Sequence, residues 1–190
     1  YALNNISSVV VVDNNSSDNS LESLNEYEFS LKIVRNKFNI GFGSACNQGA
    51  NLCNSEYILF LNPDTKVYEK SLEATLEFLS SNENLDIGIV GIRLENESGE
   101  FSTSCASFPS IEKYVFRATG LSLLFPKYFD YTFMTEAECC KSQVVDQIMG
   151  AFLLIRKDLF EKLEGFDNRF FMYMDEVDLS FRAKKLGYHS

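Results

Sequence analysis

A chain of 190 residues with 45% hydrophobic and 23% charged residues has the make-up of an ordinary globular protein, long enough to bury about 70% of its unfolded surface. Its net charge of −10 excludes binding nucleic acid or an anionic membrane through overall charge, though not an anionic ligand held locally through a metal ion. Five scattered cysteines without a CxxC pair read as reduced thiols rather than a disulfide framework or zinc site, and no apolar run reaches the ~18 residues of a membrane span.

Residues 8–13 (SVVVVD) form a β-branched run without alternation, which predicts a strand buried on both faces. It ends at Asp13 and the turn-forming cluster NNSSDNS. Ligands of open α/β sheets bind beyond the carboxyl ends of strands, so Asp13 either meets one or caps the next helix. Asp18 is the better helix cap, with Leu21, Leu24 and Tyr27 at helical spacing. A second short strand, residues 31–34, leads into the polar loop RNKFNIGFGSACNQGA and a helix. Gly41 and Gly43 come close to a dinucleotide fingerprint, but Cys46 stands at its third small position. The other reading is that the glycines let the backbone approach a ligand while Asn39 and Asn47 present amides to it.

A third strand, residues 56–61, stops at Asn62-Pro63-Asp64. A carboxylate directly after a buried strand suits a hard divalent cation that shares phosphate oxygens, or it simply starts the helix predicted over 69–80. Residues 87–94 predict a strand with an antiparallel partner at 101–104. Residues 111–142 are aromatic and irregular, holding one or two helices. A strand over 144–149 is followed by Gly150-Ala151 and a second apolar run at 152–155. Asp158 and Glu161 predict a capping box for a short helix that Gly165 ends. The last helix starts near Asp175, carries Val177 and Phe181, and stops at Gly187. Asp178 and Arg182 predict an i,i+4 ion pair within it. Strands alternating with helices and ending in polar loops imply an α/β sandwich with a mainly parallel sheet, in one domain.

VVVVDNNSSDNS, NIGFGSACNQGA, YILFLNPDT and GAFLLIRKDLF…GFDNRFFMYMDEVDLSFRAKKLGY stand in the order seen in family 2 GT-A glycosyltransferases, which the chain resembles from residue 9 to 188, most closely the bacterial rhamnosyltransferase-like branch. The resemblance implies a GT-A three-layer sandwich, divided into a nucleotide-binding part at about 8–104 and an acceptor and catalytic part at about 105–190. It implies that Asp13 contacts the base of a nucleotide-diphosphate sugar, that Asn39, Gly43 and Asn47 line its pocket, and that Asn62 and Asp64 occupy the DXD position. Asp64 would then bind Mg²⁺ or Mn²⁺ on the donor diphosphate, Asn62 replacing the first acid. Gly150, Ala151, Phe166 and Asp167 would border sugar and acceptor.

Asp175-Glu176 matches the family's ED pair with the acid types exchanged, making Glu176 the base, its charge favoured by the helix N-terminus, and Asp175 the reserve. The implied reaction is inverting transfer, with dTDP-rhamnose as a donor, onto a saccharide or lipid-linked saccharide in surface polysaccharide synthesis. The implied place is cytoplasmic, with peripheral membrane association open. His189 comes too early to be the family's metal-ligating histidine and reads as a surface residue. The family also places a strand and helix before VVVVD and a strand after the final Gly-Tyr, so the chain reads as an excerpt without the usual first strand and C-terminal end. A non-catalytic nucleotide-sugar-binding remnant is the competing expectation. A dinucleotide-dependent oxidoreductase rests on Gly41 and Gly43 alone.

Overall fold

The computed structural model describes residues 6–21, 24, 30–68, 70–120, 134, 136, 139 and 141–190. Nine strands are assigned among them: β1 (Val9–Asp13), β2 (Leu31–Arg35), β3 (Tyr57–Leu61), β4 (Ile89–Val90), β5 (Leu94–Glu95), β6 (Phe101–Ser102), β7 (Cys105–Ala106), β8 (Gln147–Ile148) and β9 (Phe152–Arg156). The helices are α1 (Phe42–Ala50), α2 (Ser71–Ser80), α3 (Ile111–Ala118), α4 (Lys157–Lys162) and α5 (Asp175–Lys185).

β9 organises the core. It lies between β3 and β4 and runs against both, so those two strands share a direction and both pairings of this sheet are antiparallel. The strand period of two sorts its side chains to opposite faces. Leu153 and Ile155 join Ile58, Phe60 and Ile89 beneath α1, α4 and α5, with Leu159, Phe166, Leu179 and Ala183 filling that layer. Phe152 and Leu154 face the other way, onto Leu79 of α2 and the partly buried Leu59 and Leu76. Helices on both faces of the sheet make three layers.

β1 and β2 pair in parallel as a separate ladder, with Val9 opposite Leu31 and Asp13 opposite Arg35. α1 bridges the two ladders. A Cβ on Gly49 would touch Val12 and Val10 of β1, while Ala50 at its end packs into the β3–β9–β4 core. The predicted burial of β1 on both faces is corrected, because all five of its residues are only half-buried. Among the described residues β2 is its only strand neighbour.

Several boundaries also change. The single strand expected over 87–94 is two short ones, β4 and β5, separated by residues 91–93, and β5 pairs with β6 as an antiparallel hairpin. The strand expected over 144–149 is only β8, paired with β7. The capping box does not form. β9 runs straight into α4, the Lys157 N–H is taken by the Glu56 carbonyl, and Asp158 pairs within the helix with Lys162 at 3.1 Å. Gly165 does end the segment: with Glu164 also left-handed, its N–H reaches back to the Phe160 carbonyl at 2.9 Å. The helix expected after Asp18 falls largely outside the described residues, where Asp18 itself makes a local turn to Ser20. His189 is half-buried rather than on the surface, its backbone bridging Ile87 and holding the Gly88 N–H at 2.9 Å.

Candidate active site

The polar ends of β1, β2 and β3 and the start of α5 are tied into one connected set of contacts. Parallel pairing puts the loops after β1 and β2 side by side, and asparagine amides knit them together. Asn14 donates to the Asn39 side chain at 2.8 Å and to the Gly41 carbonyl at 3.2 Å, and its own oxygen accepts from the Ile40 N–H and from Asn36. Asn36 in turn donates to Gln48 of α1 at 2.9 Å. The Asn39 oxygen also accepts the Gly41 N–H at 2.9 Å. Sequence reasoning misses Asn14, Asn36 and Gln48, whose only signal is the asparagine-rich character of the stretches after the first two strands. Asp13, at the end of β1, accepts from the Ser16 N–H at 2.9 Å. That bonding to Ser16, helped by Arg35 opposite, holds its carboxyl below the usual range.

The glycines of GFG serve packing. Gly41 is left-handed at φ 89°, and a Cβ there would lie 2.6 Å from the Phe171 carbonyl oxygen, which accepts the Phe42 N–H at 3.1 Å. On Gly43 a Cβ would meet the Phe166 Cβ at 2.9 Å and an Asp175 carboxylate oxygen at 3.4 Å. Gly43 is therefore bare because α1 packs tightly on Phe166, with the start of α5 close behind. Between the two, the Phe42 ring reaches Gly150, 3.6 Å from where a Cβ there would sit.

Gly150 leads to Glu176: a Cβ would stand 3.8 Å from Glu176 Oε1, and the Gly150 backbone favours the charged form of that carboxylate. Burial, then hydrogen bonding to Asp175, then the charge of Asp175 push Glu176 up to about 7, outweighing the Gly150 backbone and Glu176's own. The expectation that the helix terminus keeps this group readily ionised is thereby corrected. Asp175 is only 1% exposed and its Oδ2 has no hydrogen-bond partner. The charges of Asp175 and Glu176, after burial, push the Cys46 thiol of α1 up to about 12. Of the acidic pair, half-buried Glu176 can meet a substrate and buried Asp175 cannot without rearrangement.

Two left-handed residues, Tyr173 and Met174, both at φ 65°, turn the chain into α5 and aim Asp175 inward. Such conformations cost of order 1–3 kcal/mol each in a non-glycine residue. The exposed run Phe171–Met174 thus stands directly beside the acidic pair.

The loop after β3 joins from the other side. Asn62 N–H donates to the Ala151 carbonyl at 3.1 Å, and the Thr65 N–H donates to the Asn62 carbonyl at 3.1 Å. Asp64 is exposed and makes no ion pair or hydrogen bond among the described residues. No group of three or more His, Cys, Asp or Glu side chains gathers there among the described residues. A lone free carboxylate fits a hard cation that takes its remaining ligands from phosphate and water, and does not fit an all-protein cage.

Two expected pocket residues sit elsewhere. Phe166 is a correction: it is 2% exposed and stacks in the core on Phe60 and Phe160, with centroids at 5.0 and 5.6 Å. Asp167 is engaged by Arg169, which holds its carboxyl down to about 2. Asn47 works as a clamp. Its amide donates to the Phe166 carbonyl at 2.8 Å and to Asn168 at 3.1 Å, and its oxygen accepts the Phe166 N–H at 2.9 Å. The predicted Asp178–Arg182 pair forms at 2.6 Å, and Arg182 also donates to the carbonyls of Leu163 and Gly165 at 2.5 and 2.9 Å. Val177 and Phe181 are not the buried face of α5; Phe181 is 44% exposed against Phe108, and Leu179, Ser180 and Ala183 face the core instead.

The family profile described as Glycosyl transferase family 2 matches residues 3–164. An N-acetylglucosaminyl-diphospho-decaprenol L-rhamnosyltransferase of Mycobacterium tuberculosis is 25% identical over 96% of this chain and 62% of its own length. The rhamnosyltransferase WbbL of Escherichia coli K12 is 27% identical over 70% of this chain and 48% of its own. The chain thus spans less than two thirds of these relatives. Among solved structures, the mannosyltransferase PcManGT from Pyrobaculum calidifontis, in complex with GDP-Man and Mn²⁺, superposes with a TM-score of 0.60 at 18% identity, covering 96% of this chain and 44% of that one.

Proposed function

The chain belongs to glycosyl transferase family 2 and has the GT-A fold, and on that footing we propose that it moves a sugar from a nucleotide diphosphate to an acceptor hydroxyl with inversion. The observation that carries the proposal is Glu176, a half-buried carboxylate held to about 7 beside Gly150 and one helical residue from the buried Asp175.

Residues 8–104 supply the donor side in this reading. Asp13 faces the base, and the Asn14–Asn36–Asn39 network fixes the loop carrying Gly41 and Gly43. Asn47 keeps the Phe166–Asn168 turn in place rather than touching the nucleotide. Asp64, steadied by Asn62, would hold Mg²⁺ or Mn²⁺, which would supply positive charge to offset that of the diphosphate. Residues 105–190 supply the acceptor side, with Gly150 and Ala151 at the sugar and Glu176 taking the hydroxyl proton as the bond to the anomeric carbon forms. Asp175 tunes Glu176 from behind. Two relatives are named rhamnosyltransferases, and one of these is named for a diphospho-decaprenol substrate, so activated rhamnose, as dTDP-rhamnose, is the first donor to test and a lipid-linked saccharide the first acceptor. Among the described residues no helix is long and apolar enough to cross a membrane.

Glu176→Gln is expected to cut transfer by about 10²–10⁴-fold while calorimetric binding of dTDP or UDP with Mn²⁺ is little changed. Unchanged turnover would remove Glu176 as the base. Nucleotide binding with neither transfer nor donor hydrolysis in the unsubstituted protein would favour the non-catalytic remnant.

A further inference from the structure

The sequence scatters its cysteines, but the fold brings two of them together. Cys105 lies on β7 and is 8% exposed, and Cys139, partly exposed, places its Sγ 3.3 Å away. A third sulfur, Met134 Sδ, lies 3.5 Å from Cys105 Sγ, and the Met134 N–H donates to the Cys105 carbonyl at 3.2 Å. Met134, five residues before Cys139, is thus held to β7 by its backbone. Sulfurs this close need only small side-chain rotations to bond. The other described thiols stand apart from this pair: Cys53 bonds the Gly49 carbonyl, and the Cys46 thiol is pushed up to about 12 beside the acidic pair.

We propose that Cys105 and Cys139 form a reversible thiol–disulfide pair, with Cys139 the entry thiol and Cys105 the resolving thiol. The difference in exposure sets the order. The Cys139 thiolate attacks one sulfur of a small disulfide such as oxidised glutathione, bonding to it and expelling one glutathione thiolate. Cys105, as thiolate, then attacks Cys139 Sγ, forming the internal bond and expelling the second glutathione thiolate. The two protons lost by the protein thiols end on the two glutathione thiols. The protein pair is oxidised by two electrons and glutathione disulfide is reduced by two. The cross-link fastens Cys139 to β7, whose ladder partner Ile148 leads through Met149 to Gly150 beside Glu176. None of this depends on which sugar is transferred.

The test is equilibration of the folded chain with defined ratios of reduced to oxidised glutathione, alkylation, and peptide mapping by mass spectrometry without reduction. A Cys105–Cys139 bridge is expected, persisting in Cys140→Ser and raising Tm relative to the reduced protein. Cys105→Ser should stop at a glutathione mixed disulfide on Cys139, and Cys139→Ser should leave Cys105 unmodified. Failure to form the bridge, a bridge from Cys105 to any other cysteine, or ready glutathione capture by Cys105 in Cys139→Ser overturns the proposal. Wild-type mapping decides the pairing even where a serine variant does not fold.

Discussion

At neutral pH Glu176 sits near the midpoint of its own titration, so small changes in its surroundings decide how much base is present. Its folded value of about 7 exceeds its ordinary 4.5, so the folded protein binds this proton more tightly than the unfolded chain does. The associated stability is fully present below about pH 4.5 and is lost as pH rises through 7. Activity should run the other way, since only the ionised form accepts a proton. We expect kcat/KM for transfer to rise with an apparent pKa near 7, a value belonging to the Asp175–Glu176 pair as a whole. In Asp175→Asn the charge that opposes ionisation is gone, and the rising limb should move to lower pH. A limb that stays in place in that variant would show Asp175 to be electrostatically silent. The acidic pair itself was legible in the sequence. Which member is buried was not, because that depends on the approach of α1 through Gly43, more than 120 residues earlier.

Among the elements, α5 owes its position to Arg182. One guanidinium binds Asp178 in its own helix and the two carbonyls, Leu163 and Gly165, that end the turn after α4. Arg182→Met keeps much of the apolar stem but strands Asp178 and both carbonyls. It should lower stability by about 2–3 kcal/mol, read as a lower urea midpoint with an unchanged slope. An exposed i,i+4 pair would contribute only about 0.3–0.5 kcal/mol, so a loss of that size would mean that the carbonyl bonds carry nothing. The ion pair was visible in the spacing of the two residues. Its second task was hidden, since nothing local tells that the end of α4 lies within reach. The capping box failed for a more local reason. Asp158 and Glu161 have the right separation, but the helix starts at Lys157 with Arg156 at its N-cap, so Asp158 lies inside the first turn and pairs with Lys162 instead.

For the molecule as a whole, the alternation of strands, turns and helices made the layered architecture readable, as did the four motifs that carry the family. Pairing of strands was less readable, because a short apolar run such as residues 152–155 looks the same whether it runs with its neighbours or against them. Its placement between β3 and β4 joins residues about 90 apart in sequence, Leu61 standing opposite Phe152. A fragment ending before residue 144 keeps β3 and β4 but lacks the strand that joins them. It should show no cooperative unfolding transition, where the whole chain shows one by circular dichroism. The same insertion sets a timetable for synthesis. At about 5–20 residues per second, β3 leaves the ribosome roughly 5–20 s before its partner exists. For that interval Ile58 and Phe60 have no sheet to enter, so a newly made chain depends on chaperone cover to keep those strand edges from finding another molecule.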